Sequence, residues 1–251
     1  PTTFVCVLKA CGSTRDVNQG RKLHGEIEMK GMIEINMFVG NAMVNMYAKC
    51  GYIPEALNVF EKLPNHDSVS WNTLIGSYVE EEFNEEALKC FGHMQLSGIS
   101  PNYITFSWTL QACSNLRLSE KGQEIHVEII GNASLEKENR ILWSALMDMY
   151  AKCGLLIEAQ KVFENCLIRD VVSWNTLIAG FVLHEQGHEA LECHERMILE
   201  GVSPNVISYI CYLKACGSIG SIRKGQEIHA EMARQGSSEA SSFTGTTLID
   251  M

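Results

Sequence analysis

The chain has 251 residues, 46% hydrophobic and 20% charged, with 20 Lys and Arg against 30 Asp and Glu for a formal net charge of −10. This is the composition of an ordered chain and not of a disordered tail. The acidic balance argues against a protein that coats nucleic acid through bulk positive charge, although it is compatible with an acidic array whose inner groove is locally basic or neutral. No apolar run approaches the roughly 18 residues of a membrane-spanning helix, so a soluble chain with no membrane partner is expected.

The chain starts at Pro1, and nothing near it reads as a signal or transit segment, so a fragment is expected, with any targeting address outside it. Four short strings then recur. "KACGS" at 9–13 returns at 214–218, "MYAKCG" at 46–51 returns at 149–154, "SWNTLI" at 70–75 returns at 173–178, and "KGQEIH" at 121–126 returns at 224–229. Three of the displacements are 103 residues and the first is 205, about twice that. An internal repeat array decides the fold class before any motif does.

The units can be taken in order. The first, 1–36, is long. The second, 37–67, is short, and Pro54 opens its second helix, where a missing N–H costs nothing. The third, 68–102, is of standard length and shows the helical spacing most clearly. Trp71, Leu74, Ile75 and Tyr78, then Ala87, Leu88, Phe91 and Met94, follow the i, i+3, i+4, i+7 pattern of two amphipathic helices. Between them "EEEFNEE" reads as a solvated turn with Asn84 as N-cap, and "SGISPN" at 97–102 closes the second helix with Gly and Pro. The order then repeats as 103–139 (long), 140–170 (short), 171–205 (standard) and 206–241 (long), with the first helix of a partial short unit at 242–251. Stacked hairpins of this kind predict an all-α, right-handed α-solenoid, its first helices lining the concave face. The alternation of three lengths does not fit tetratricopeptide repeats, whose period is about 34 residues.

The ten cysteines recur at matching positions, as in Cys11, Cys113 and Cys216, inside helical patterns. That placement predicts small packing residues in a reducing compartment and not disulfides. "HGE", "HVE" and "HAE", at His24, His126 and His229, supply half of a zinc-deaminase signature, but no Cys-x-x-Cys follows. A catalytic centre does not recur once per period, so these histidines are read as structural. No metal, cofactor or catalytic residue is expected. Asn132 in "NAS" matches a glycosylation acceptor, a triplet common by chance.

On "MYAKCG", "KACGS…KGQEIH" and the whole standard unit "VVSWNTLIAGFVLHEQGHEALECHERMILEGVSPN" at 171–205, the chain resembles pentatricopeptide repeat proteins of the mixed class of land plants, in which long, short and standard units alternate. The resemblance covers the entire chain. It implies sequence-specific binding of single-stranded RNA at about one base per repeat. In that family the fifth residue of the first helix and the last residue of the repeat contact the base edge, and the second residues of adjacent repeats sandwich the base. Carried over, the edge pairs are Asn41 with Asp67, Asn72 with Asn102, Ser107 with Asn139, Ser144 with Asp170, and Asn175 with Asn205, together with Thr246 of the partial unit. The sandwiching residues are Phe38, Val69, Ile104, Ile141, Val172, Ile207 and Phe243, all apolar. Any one of them alone would pass for a core residue at a helix start, and their recurrence favours the functional reading.

The pairs have a chemical logic. An ionised Asp only accepts, so it suits the imino N–H of uracil or guanine, whereas Asn can donate to the bare ring nitrogen of cytosine or adenine. At the fifth position Asn reaches farther and favours the smaller pyrimidine, while Ser or Thr leaves room for a purine. The expected readings are U at Asn41/Asp67, C with U tolerated at Asn72/Asn102, G at Ser144/Asp170, C over U at Asn175/Asn205 and a purine at Thr246. The long units depart from the pattern, with Val5 and Asn36, and Ile210 and Ser241, and are expected to be degenerate. Ser107 with Asn139 could select A. Read 5′ to 3′ along the chain, the target is N-U-C-N-G-C-N-R.

The resemblance further implies a recognition array of an organellar C-to-U RNA editing factor in a mitochondrion or chloroplast. It also implies an auxiliary editing-complex protein as partner, and a deaminase-like region in the parent protein beyond these residues. A monomer is expected. The alternatives are a helical scaffold for a protein partner, or an RNA-binding factor for transcript stabilisation or splicing. A scaffold has no reason to place Asn or Ser at the fifth position and Asp or Asn at the last in every complete short and standard unit.

Overall fold

A computed structural model describes residues 1–132 and 140–234. The described residues form helices and turns without strands, and the chain divides into two compact units, Pro1–Leu116 and Arg117–Met251.

In the first unit, α1 (Thr2–Thr14), α4 (Met37–Lys49), α6 (Ser68–Glu80) and α8 (Tyr103–Leu116) each pack against the next and form one layer. The second helices lie behind them: α2 (Val17–Met29), the single turn α3 (Met32–Ile35), α5 (Ile53–Glu61) and α7 (Asn84–Leu96). In the second unit, α10 (Arg140–Lys152), α12 (Val171–Leu183) and α14 (Val206–Ser218) form the corresponding row. It is backed by α9 (Ser119–Gly131), α11 (Leu156–Asn165), α13 (Gly187–Leu199) and α15 (Ile222–Arg234). First helices have 13 or 14 residues throughout, whereas α5 has 9 and α11 has 10 against 13 in α2, α7, α9 and α13. The short spacing after "MYAKCG" therefore comes from a truncated second helix.

Burial follows the apolar periodicity. Phe60 packs edge-on against Trp71 with ring centroids 4.9 Å apart, and 103 residues later Phe163 packs on Trp174 at 4.5 Å, both at an interplanar angle of 63°. Each such buried aromatic is worth on the order of 2–3 kcal/mol, which is how a unit without a single central core holds together. Cys11, Cys113 and Cys216 are buried as packing residues, and burial pushes the Cys216 thiol up to about 11.

The ends of α7 and α13 are closed as the Gly-Pro pattern predicts. Gly98 and Gly201 take φ of 74° and 78°, and the next amides, Ile99 and Val202, reach back to the Met94 and Met197 carbonyls at 3.2 and 3.0 Å. Pro54 stands in the first turn of α5. Asn84, expected as an N-cap, is instead the first residue of α7 and is buried. Its Oδ1 accepts from Asn115 Nδ2 on α8 at 3.0 Å and its amide donates to the Glu82 carbonyl at 3.1 Å, so the side chain is engaged inward and cannot cap.

Candidate nucleic-acid interface

Among the described residues, the residue expected to close a unit also starts the next first helix. Asn36, Asp67, Asn102, Asp170 and Asn205 each accept a backbone N–H from the first turn that follows, at Val39, Ser70, Thr105, Ser173 and Ser208. Backbone amides require an acceptor, so the cap fixes a side-chain oxygen on the helix and leaves one other polar atom to face outward. For Asn that second atom is an NH2 donor. For Asp it is a carboxylate oxygen.

In the two standard units the expected pairs are joined directly. Asn72 Nδ2 donates to Asn102 Oδ1 at 3.1 Å, and Asn175 Nδ2 donates to Asn205 Oδ1 at 3.0 Å. A hydroxyl completes each network. Thr105 Oγ1 donates to Asn72 Oδ1 at 2.6 Å and accepts from the Asn102 amide at 3.1 Å, while Ser208 Oγ bonds Asn175 Oδ1 at 2.7 Å and accepts from the Asn205 amide at 3.1 Å. Thr105 and Ser208 are fully buried, and Asn72 and Asn175 nearly so, at 8% and 7% exposure. The fifth residue thus braces the last one, which holds its outward NH2 in a fixed direction.

These bracing hydroxyls are parts of the candidate site that the sequence reading missed. Their signal was present as a Ser or Thr three residues after Asp67, Asn102, Asp170 and Asn205, the spacing of a capping box, although Asn36 is followed there by Val39.

The short units differ. Asp67 Oδ1 accepts from the Ser70 backbone at 2.8 Å and from its hydroxyl at 3.0 Å, and Asp170 Oδ1 is held the same way by Ser173. No hydrogen bond joins Asn41 to Asp67 or Ser144 to Asp170 among the described residues, and Asn41 Oδ1 is buried without a partner. Arg140 donates to Asp170 Oδ2 at 3.0 Å. Burial raises the Asp170 carboxyl, but the bonds from Ser173 and Arg140 outweigh it and hold it below its ordinary value. Ser107 lies on α8 with its hydroxyl bonded back to the Tyr103 carbonyl at 2.7 Å. Asn139, Thr246 and Phe243 lie outside the described residues.

The second residues of the first helices are not core. Phe38 is 79% exposed, and Val69, Ile104, Ile141, Val172 and Ile207 are all solvent-facing. Two of the intervals between them are clefts. One, of about 300 Å³, has Val69 and Ile104 on its walls and Asn72 and Asn102 on its floor. Its counterpart, of about 450 Å³, has Val172 and Ile207 with Asn175 and Asn205. Each combines two apolar faces with a braced amide edge.

Two of the three decoy histidines are engaged elsewhere, and the side chain of His229 lies outside the described residues. His24 Nδ1 lies 2.7 Å from the Tyr47 hydroxyl and His126 Nδ1 lies 2.7 Å from that of Tyr150, each tying the second helix of a long unit to the first helix of a short one. Burial lowers the pKa of both imidazoles.

Comparison with known proteins agrees with this geometry. Models of the PPR repeat family match residues 66–115 and 169–218, and models of the PPR repeat match 41–67 and 141–169, together more than half of the chain. A mitochondrial pentatricopeptide repeat-containing protein of Arabidopsis thaliana is 35% identical over 249 residues, which is 99% of this chain and 24% of the relative. A chloroplastic one from the same plant is 36% identical over 249 residues, 99% of this chain and 40% of the relative. The chain therefore spans well under half the length of these relatives. The crystal structure of the pentatricopeptide repeat protein PPR10 in complex with an 18-nucleotide psaJ RNA element superposes with a TM-score of 0.78 at 22% identity, covering 94% of this chain and 35% of that one. The likeness establishes the fold as an α-solenoid of helical repeats, and the chain belongs to the pentatricopeptide repeat family.

Proposed function

We propose that the chain is a sequence-specific reader of single-stranded RNA, one base per repeat. The observation that carries the reading is the pair of clefts 103 residues apart, each with two exposed aliphatic walls and a cap-locked Asn edge. A base inserted between Val69 and Ile104 would have both faces covered, and Asn102 Nδ2 would donate to the ring nitrogen of cytosine. Where the cap is Asp67, its second oxygen would accept the imino N–H of uracil, with Asn41 beside it, and at Asp170 the imino N–H of guanine would share Oδ2 with Arg140 or displace it, with Ser144 beside it. The RNA-bound state of PPR10 supports this use of the fold.

The reading takes the unit boundaries as 1–36, 37–67, 68–102, 103–139, 140–170, 171–205, 206–241 and 242–251, and the target as NUCNGCNR. It places the chain in the mixed class as part of an organellar RNA editing factor. The mitochondrial and chloroplastic designations of its relatives support an organellar address. The array itself carries no catalytic role, and an auxiliary protein would tighten it on RNA. Selection from a randomised RNA pool tests the reading. The recovered consensus should hold U-C, then G-C one base later. A pool that shows no enrichment would refute it.

A further inference from the structure

The two clefts are alike in their aliphatic walls and Asn edges but not in size, and although the linings also differ at Ser77 against Gly180 and at Glu80 against Leu183, the bulkiest difference is one aromatic side chain. Trp108, on α8, lines the smaller cleft beside Gly76 of α6. The residues 103 positions on are Cys211 and Ala179. Cys211 is buried at 8% exposure, and it does not reach the larger cleft. A Cβ placed on Gly76 would lie 2.8 Å from both Cε2 and Nε1 of Trp108, so the indole rests directly on the helix backbone and only glycine admits it there. The chain thus contains the same site twice, once as Gly with Trp and once as Ala with Cys, and the volumes are about 300 and 450 Å³.

We infer that Trp108, seated on Gly76, is a size filter that excludes purines from the Asn72/Asn102 cleft more strictly than from the Asn175/Asn205 cleft, which lacks the indole. The inference rests on the RNA-reading function proposed above. The edge chemistry supports the need for such a filter. An Asn NH2 donates as well to the N1 of adenine as to the N3 of cytosine, so the hydrogen bond alone does not separate them. Asn72 and Asn175 brace their caps in the same way, so any size preference that the fifth residue gives is common to both clefts, and a difference between them has to come from whatever else fills each one. The indole is held between two packed helices and cannot yield as a flexible side chain would.

The test is an affinity series in which the base facing one cleft is C, U, A or G while the rest of the RNA is held constant. In the unsubstituted chain the cytosine-to-adenine affinity ratio should be larger at the Asn72/Asn102 cleft than at Asn175/Asn205 by roughly tenfold, the low end of what pocket size achieves. The double variant G76A/W108C should bring the first ratio down to the second. Trp108→Phe, which keeps a ring there, should retain most of it. The reverse exchange, A179G/C211W, should raise the ratio at the second cleft and gives a readout even if the first variant folds poorly. If G76A/W108C weakens all four RNAs equally, or if A179G/C211W leaves its ratio unchanged, Trp108 is a packing residue only and the inference falls. If neither cleft of the unsubstituted chain distinguishes any base, the reading function falls and the filter falls with it.

Discussion

Asn102→Asp isolates the chemistry of one atom. Four contacts converge on Asn102 Oδ1: the backbone amides of Ile104 and Thr105 at 3.0 and 3.1 Å, Asn72 Nδ2 at 3.1 Å and the Thr105 hydroxyl at 3.3 Å. The two backbone amides and Asn72 Nδ2 donate, the Thr105 proton being committed to Asn72 Oδ1 at 2.6 Å, and an Asp oxygen accepts from these three as an Asn oxygen does. Asn and Asp are also nearly equal as N-caps, with the charge slightly favoured by the helix dipole. Stability should therefore change by less than about 0.5 kcal/mol. What changes is the outward atom, from an NH2 donor to an anionic acceptor. Facing cytosine, that oxygen meets the lone pair of the ring nitrogen, and facing uracil it meets an N–H. A base-edge match is worth about 1–3 kcal/mol, which is a roughly 5- to 150-fold shift in preference from C to U. Thermal melts paired with anisotropy titrations of RNAs differing only at that base would measure both quantities. A variant as stable as the parent but with its preference unmoved would refute the cap-lock account of base choice.

Other consequences follow from neighbouring groups. Ser208→Ala should leave the buried Asn175 Oδ1 without its donor and lower stability by about 1–3 kcal/mol in urea unfolding, and it should blunt base choice at the same cleft. An unchanged midpoint would mean that the hydroxyl braces nothing. Arg140→Met installs the residue found at the equivalent Met37. It should move the Asp170 carboxyl up towards its ordinary value in an NMR titration, and no movement would show that the 3.0 Å ion pair does not persist in solution. His194 is buried at 1% exposure beside Tyr212, its Nε2 has no partner, and burial pushes its pKa down to about 4. The unfolded chain takes up that proton near 6.5 and the folded chain only near 4. Stability should thus be full above pH 6.5 and fall by about 3 kcal/mol as pH drops to 4. His194→Phe should flatten the upper part of that slope, and an equal slope in the variant would assign it to other groups.

Much of the fold was legible because a repeat array states its pattern more than once. "SWNTLI" and "MYAKCG" each occur twice, so helical periodicity and helix ends could be checked against a second copy, and Pro54, Gly98 and Gly201 stand where their backbone chemistry requires. The misplacement of Asn84 shows the limit of local reasoning. Its capping propensity is real, but a tertiary partner, Asn115 on α8, outcompetes it. At the site, the expected edge and wall positions were nameable only through the family resemblance, counted along each unit. That Asn72 would brace Asn102 through Thr105 was not, because the bond joins residues 30 positions apart through a hydroxyl on the next unit. Phe38 and its counterparts could equally have been core residues, and only their exposure shows that they are not packed. The Trp108 and Gly76 contact was likewise hidden, since neither residue is unusual on its own helix.

The central claim is code-directed recognition, and fluorescence anisotropy of the chain with labelled RNA tests it most directly. One RNA carries NUCNGCNR, and the other has its U, C, G and C permuted, each measured at low and moderate salt because an acidic chain loses nonspecific binding first. The account predicts that the first RNA binds more tightly at both salts, with the ratio preserved as absolute affinity falls. Equal affinity for the two RNAs, or a preference that vanishes when salt is raised, would contradict it.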